Sequence, residues 1–319
     1  MLTESAFRTG SLCVVGNINR DVKASPVAPV PGLFEDGETP VDWIIETIGG
    51  GGANSAFTAA ALGGRVSFLA KVGDDGLGAR LARTLQKHGV SAYLARDAVH
   101  RTGTSLALSY ENGHRHFLSC LPASRALAFE DLDLSGLDGC RHLLRADLWF
   151  AEAMLFGGNA RLFKAARARG LSVSADLNWD PAWGHADLAT IRARKNAVRD
   201  VLPLVDLAHG NVRELCEFAD ASNLTTALQS IIRWGARAVV VHLGKEGAGY
   251  YSNGVLEIEP PVPAKVPVTS TGCGDVLSVC MMLLSEHADA GIREKLHLAN
   301  TVVSEFMEGR RRLLPDLED

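Results

Sequence analysis

The stretch Thr269-Ser270-Thr271-Gly272-Cys273-Gly274-Asp275 runs directly into the apolar segment Val276-Leu277-Ser278-Val279. Two glycines flank a small residue, a carboxylate follows at once, and a helix-like pattern begins there. The Gly272-Cys273-Gly274 backbone can turn its N–H groups toward an anion at a helix N-terminus, where unpaired amides and the helix dipole both favour negative charge. Asp275 then stands in the first turn, beside that anion, as a base. An anion cradle with an adjacent carboxylate suits phosphoryl transfer to an alcohol. The plainer alternative is a tight Gly-x-Gly turn whose aspartate stabilises the first helical turn.

Four other segments carry residues able to do chemistry. In Gly16-Asn17-Ile18-Asn19-Arg20-Asp21, Asn19 and Asp21 lie two apart on an extended chain and point to one side, where they can share the hydroxyls of a polyol. An Asx-type turn is the alternative there. The run Gly49-Gly50-Gly51-Gly52 leads into Ala53 and Asn54. It allows a ligand close to the backbone, yet lacks the Gly-Lys-Ser/Thr ending of a P-loop and the spacing of a dinucleotide fingerprint. Asn211 and Glu214, at i and i+3, share a helix face. With phosphate oxygens and waters they make a Mg²⁺-type environment; they also fit an Asn N-cap with Glu at N3. Finally, His242-Leu243-Gly244-Lys245-Glu246-Gly247 is a glycine turn after a buried strand, where a nucleotide can lie against the backbone.

The elements that must position these groups alternate. Apolar runs predict strands at residues 11–16, 41–47, 65–72, 147–150, 171–175, 205–208 and 238–243. Periodic segments predict helices over 53–62, 76–88, 159–169, 188–201, 212–218, 225–234, 276–285 and 292–307. Asn112-Gly113 marks a hairpin between 104–110 and 115–121, and Asn253-Gly254 another within 250–258. Strand–helix alternation implies a mostly parallel sheet covered on both faces. The non-helical pieces near 22–48 and 99–123 fit a small β-structure projecting from it as a lid over the carboxyl ends of the core strands. No linker divides residues 1–319, so one domain with that lid is expected.

Composition narrows the classes. Hydrophobic residues make up 47% and charged residues 22%, enough for a sizeable core and unlike a disordered chain. A net charge of −5 and a pI near 6.1 give no basic field for nucleic acid or an anionic membrane. The six cysteines form no C-x-x-C pair, which argues against a structural zinc site. With no signal-peptide pattern and no long apolar run, a reducing cytoplasm is the expected compartment.

In this order the segments resemble the ribokinase-like, or PfkB, family of carbohydrate kinases over about residues 11 to 309. Gly49–Gly63 is similar to the family's first signature and Val268–Ser278 to its second. Lys71-Val72-Gly73-Asp74-Asp75-Gly76-Leu77-Gly78 resembles a stretch that follows the first signature, and Asn211–Glu214 its Asn-x-x-Glu element. The resemblance implies a Rossmann-like three-layer α/β core with a small β-sheet lid, and an ATP- and Mg²⁺-dependent kinase acting on a small sugar or polyol. It implies that Asp275 is the catalytic base and that Gly272, Cys273 and Gly274 form the anion hole. Asn19, Asp21, Gly50 and Asn54 would hold the sugar. Asn211 and Glu214 would act near Mg²⁺ and the phosphates, and Gly244, Gly247 and Asn300 would border the nucleotide. Homodimers through the lid are common in the family.

The chain also departs from the family pattern. Thr269 stands where the second signature usually opens with an aspartate of a monovalent-cation site, which puts K⁺ activation in doubt. His242 replaces a frequent threonine. Asp180 follows Asp176-Leu177-Asn178-Trp179 where an arginine is common, and Cys280-Met281-Met282-Leu283 replaces a glycine-rich continuation. Alternatives therefore stay open: a nucleoside kinase, a phosphosugar kinase using Arg101, Arg115 or His116, or a family member that binds sugar without catalysis.

Overall fold

The computed structural model describes residues 2–29, 36–112, 114–265 and 271–317. The first half of the chain runs β1 (Ser11–Val15), β2 (Asn19–Ala24), β3 (Ile44–Gly49), α1 (Gly51–Ala61), β4 (Arg65–Gly73), α2 (Gly76–Lys87), β5 (Ser91–Asp97), β6 (Gly103–Ser109), β7 (Arg115–Cys120), α3 (Pro122–Arg125) and β8 (His142–Arg145). The second half continues with α4 (Asn159–Ala168), β9 (Ser172–Asp176), α5 (Leu188–Arg199), β10 (Leu207–Asn211), α6 (Val212–Phe218) and α7 (Leu224–Arg233). It ends with β11 (Ala238–His242), β12 (Ala248–Ser252), β13 (Val255–Glu259), α8 (Cys273–Leu284) and α9 (Ile292–Met307).

Nine strands form the main sheet in the order β13-β12-β11-β10-β9-β8-β1-β4-β5. From β11 to β5 every pairing is parallel; β12 and β13 add antiparallel strands at one edge. Buried strands such as Ser11–Val15 read as continuous apolar runs because both faces are covered. One face packs residues of α1, α2, α8 and α9, including Phe57, Leu81, Val279 and Leu296. The other packs Phe163, Val198, Leu215 and Ile231 of α4 to α7. Helices on both faces of a mostly parallel sheet give the expected three layers.

A second sheet, ordered β3-β2-β6-β7, stands apart from the first. Its central β2–β6 pairing is parallel and the outer two are antiparallel. Register places Asn19, Asp21, Lys23, Thr47, Ser105, Ser109, Ser119 and Arg115 on one face. Arg20, Val22, Glu46, Ile44, Leu106 and Leu118 occupy the other. The hairpin between β6 and β7 forms as expected, although Gly113 lies outside the described residues.

Several expected elements moved. Residues 147–150 are not a strand: β8 is His142–Arg145, and the chain turns at Asp147, whose φ is +52°. β10 starts later than the apolar run 205–208 and carries the polar His209 and Asn211. β3 is Ile44–Gly49, shifted toward the glycine run. The edge strand β5 was not anticipated, because its half-exposed Ser91–Asp97 shows no apolar alternation. Among the described residues no helix is long and apolar enough to cross a membrane, and all six cysteines are free thiols.

Candidate active site

The parallel strands deliver their carboxyl ends to one edge of the sheet, where the chain order changes around β1. Ligands in open α/β sheets bind at such a switch point. Asn17 follows β1, Asp147 follows β8, Asp176 ends β9, Asn211 ends β10 and Gly244 follows β11. The N-termini of α1 and α8 arrive at the same edge.

Helix α8 begins one turn earlier than its apolar run suggests. Gly272 is its N-cap with φ +85°, Cys273 opens the helix, and Asp275 lies in the first turn. The first amides of a helix have no intrahelical partner, so the Gly272–Gly274 backbone presents N–H groups beside the Asp275 carboxylate. Gly274 is required by packing. A Cβ there would lie 3.0 Å from His242 Nδ1 and 3.2 Å from its Cε1. The ring is held in place, since His242 Nε2 and Ser278 Oγ are 3.1 Å apart. The departure from threonine at 242 thus places an imidazole, kept neutral by burial with its pKa pushed down to about 4, beneath the cradle.

Asp275 is tied to α1. Asn54 Nδ2 donates to Asp275 Oδ2 at 2.9 Å. Burial raises the Asp275 pKa from its ordinary 3.8 to about 7; the Asn54 hydrogen bond opposes this, and the charges of Asp147 and Glu214 add to it. A carboxylate near neutrality is matched to general-base work.

Asp147 joins the site from the turn after β8. Its carboxylate accepts from the backbone N–H of Asn17 at 2.8 Å, of Gly52 at 2.8 Å and of Gly51 at 3.3 Å. The start of α1 therefore already holds an anion, the protein's own. Burial raises the Asp147 pKa against those three bonds. A signal existed: a glycine run opening a helix needs an acceptor, and an aspartate follows a buried strand elsewhere. Asp176 at the end of β9 is pushed well above its usual range by burial first, then by Glu214, Asp275 and Asp147. Asp147 and Glu214 also raise Asp275, so like-charge repulsion links these four acids.

The glycine run also serves the polyol-binding pair. A Cβ on Gly49 would fall 2.1 Å from Asp21 Oδ1, and Gly50, at φ +97°, would meet Asn17 O at 2.5 Å and Asn19 Oδ1 at 3.1 Å. Asn19 Nδ2 donates to Asp21 Oδ1 at 2.7 Å and reaches Ser105 Oγ at 3.4 Å; Ser105 Oγ donates to Ser119 Oγ at 2.8 Å. Asn19, Asp21, Ser105 and Ser119 thus form a row of donors and acceptors on one face of the small sheet. Burial raises the Asp21 pKa, while Lys23 and the Asn19 amide pull it down. In sequence these serines carry no signal, because alternate hydroxyls in a hairpin are ordinary.

Asn211 and Glu214 adopt the capping box that was the plainer alternative. Asn211 Oδ1 accepts from Glu214 N–H at 2.9 Å and Glu214 Oε2 accepts from Asn211 N–H at 2.8 Å. Burial raises the Glu214 pKa against these bonds. Among the described residues no group of three or more His, Cys, Asp or Glu side chains is disposed to hold a metal ion. Gly247 and Asn300 come together elsewhere, at the end of β13. A Cβ on Gly247 would strike Glu259 O at 2.2 Å, and Asn300 Nδ2 donates to Glu259 O at 3.1 Å and Pro260 O at 2.9 Å. Gly244, at φ +61°, has open space on its side-chain face. Asp180, the acid at an expected arginine position, is fully buried and receives Arg194 Nε at 2.8 Å and Nη2 at 2.9 Å. Thr269 lies outside the described residues.

Known proteins resemble this chain in sequence and fold. The model of the pfkB family carbohydrate kinases matches residues 9–302. A fructokinase of Vibrio alginolyticus is 27% identical over 264 residues, spanning 81% of this chain and 82% of that protein. A fructokinase of Escherichia coli is 42% identical over 87 residues, or 27% of this chain and 28% of its own. The solved ribokinase of Arabidopsis thaliana, complexed with ribose and ATP, superposes with a TM-score of 0.74 at 20% identity over 96% of both chains. Ribokinase from Giardia lamblia gives a TM-score of 0.78 at 16% identity, covering 96% of this chain and 97% of that one. With the family match running over nearly the whole chain, this protein belongs to the pfkB family and is an ATP-dependent carbohydrate kinase.

Proposed function

We propose that the chain transfers the γ-phosphoryl group of ATP to a hydroxyl of a small neutral sugar or polyol, with Asp275 as the base. The observation that carries this is the position of Asp275: partly buried, in the first turn of α8, beside the Gly272–Gly274 amides, with a pKa of about 7. In the reaction the Asp275 carboxylate takes the proton of the acceptor hydroxyl. That oxygen forms a bond to the γ-phosphorus, the bond from phosphorus to the β–γ bridging oxygen breaks, and ADP leaves with the electron pair. The amides of Gly272, Cys273 and Gly274 stabilise the charge on the transferring oxygens.

Asn19, Asp21, Ser105 and Ser119 bind the acceptor hydroxyls from the small sheet, which closes as a lid. Gly50 borders the acceptor, and Asn54 orients the base. Gly244, Gly247 and Asn300 border the nucleotide. Charge repulsion among Asp147, Asp176, Glu214 and Asp275 favours a cation nearby, although by themselves they form no metal site among the described residues. Glu214 and Asn211 would stand beside Mg²⁺, which takes the rest of its shell from phosphates and water and neutralises their charge. The far face of the lid exposes Ile44, Leu106 and Leu118, a surface that a second copy would cover. Unpaired thiols fit a reducing cytoplasm.

A coupled ADP-release assay across hexoses, pentoses, phosphosugars and nucleosides tests the reading. Relatives named fructokinase make D-fructose the first acceptor to try. Turnover of a neutral sugar is expected. Sugar-induced thermal stabilisation without turnover of any acceptor would instead establish a non-catalytic binder.

A further inference from the structure

Arg115 opens β7, the edge strand of the small sheet, and register puts it on the face that carries Asn19, Asp21 and Ser105. Its guanidinium does not stay with that sheet. Arg115 Nη1 donates to Thr271 Oγ1 on the core. Thr271 immediately precedes the Gly272–Gly274 cradle. The positive charge of Arg115 opposes the rise that burial imposes on the Cys273 thiol, so its charge reaches that cradle. A cation borne by one layer thus sits beside N–H groups borne by the other.

Such a cation has two uses, to hold an anionic acceptor or to stabilise the phosphoryl group in flight. The structure favours the second. The contact is with the residue next to the amides, whereas the acceptor face carries serine hydroxyls and a Lys23 whose charge is offset by Asp21. Thr271 offers only a neutral hydroxyl, and a guanidinium binds phosphoryl oxygens more strongly than a hydroxyl through charge-assisted, bidentate bonds.

Resting on the kinase reading above, we propose that Arg115 is a further catalytic residue: it leaves Thr271 and donates to the equatorial oxygens of the γ-phosphoryl group during transfer. It keeps its protons throughout; the hydroxyl proton still passes to Asp275 and the electron pair to ADP. Because Arg115 rides on the small sheet, this charge is complete only when that sheet is closed over the acceptor. Closure and chemistry are thereby coupled.

The test uses the full chain with Arg115→Ala and Arg115→Lys, MgATP, and D-fructose or whichever sugar the wild type phosphorylates. Arg115→Ala should lower kcat by about 10²-fold or more, with acceptor KM changed less than about threefold. Arg115→Lys should fall between. Affinity for MgADP with aluminium fluoride, which mimics the planar phosphoryl group, should drop in proportion to kcat, while MgATP affinity barely moves. Melting curves of both variants should match the wild type, since the side chain is exposed. Unchanged kcat, or a raised acceptor KM alone, would overturn the proposal. So would equal losses of fluoride-complex and ATP affinity. A wild type that phosphorylates no sugar would sink the kinase reading instead, and the fluoride comparison, run with sugar present and needing no turnover, would still decide on Arg115.

Discussion

Asn54 on α1 and Asp275 on α8 are 221 positions apart in sequence and share a 2.9 Å hydrogen bond. The amide donates to the charged form of the carboxylate and so favours it, against burial and two neighbouring acids. Asn54 therefore sets where the base titrates. Replacing it with alanine should raise the Asp275 pKa further. Activity requires the ionised base, so the acid limb of kcat against pH should move to higher pH. The variant should lose more activity near about pH 6 than near about pH 9. A uniform loss at all pH values would mean that Asn54 acts on the acceptor alone.

Asp275→Asn should separate chemistry from stability. Loss of the base should lower kcat by about 10²–10⁴-fold with ATP binding retained. Stability should move the other way. The folded pKa of about 7 lies above the ordinary 3.8, so between those values the native state holds more protons than the unfolded chain. Wild-type stability therefore falls as pH rises through that window, a slope the asparagine variant lacks. Its melting-temperature advantage should be absent near about pH 4, grow toward pH 7 and level off above, reaching a few degrees. A variant less stable than wild type at alkaline pH would contradict the burial of an ionised Asp275.

Gly274→Ala tests the packing under the anion cradle. The new methyl carbon meets a His242 ring that is fixed by Ser278. Overpacking of this kind costs about 1–3 kcal/mol, and displacement of the cradle amides should reduce kcat more than either KM. Combining Gly274→Ala with His242→Ser should recover much of both losses. Two additive losses in the double variant would show that the ring and position 274 do not meet.

The core was legible because its strands are apolar runs and its helices keep their period; α6 and α9 start and end where the pattern says. The cradle was legible too, since Gly272, Gly274 and Asp275 are adjacent in sequence. What stayed hidden depends on distant contacts. Nothing local says that Asp147 leaves its strand at a positive φ to bind Gly51 and Gly52, or that Asn54 reaches Asp275. His209 and Asn211 hid the carboxyl end of β10 because polar residues at strand ends look like loop. Nothing local announces that the carbonyl of Glu259 lies against Gly247.

Asp21→Ala should distinguish the two substrates. The carboxylate is buried, receives Asn19 Nδ2 and lies on the face proposed to bind acceptor hydroxyls. Each charged hydrogen bond to a hydroxyl is worth about 1.5–3 kcal/mol, so acceptor KM should rise by at least about tenfold with ATP KM little changed. Equal rises in both would point to a folding defect and remove Asp21 from the acceptor site.

The monovalent cation gives the last test. The family's site uses an aspartate where this chain has Thr269. A hydroxyl can ligate K⁺ but brings no compensating charge, so the ion should bind more weakly. At the C-terminal end of α9, Arg311 binds Glu305 at 2.7 Å and also pairs with Glu4, and Arg310 pairs with Glu308, so these acids are already matched by arginines. Exchanging K⁺ or Na⁺ for an organic cation at constant ionic strength should change activity less than about threefold, because screening is held fixed and only site occupancy varies. Strong saturable activation by K⁺ would show that backbone carbonyls near Glu305 and Gly309 suffice to hold the ion without a carboxylate.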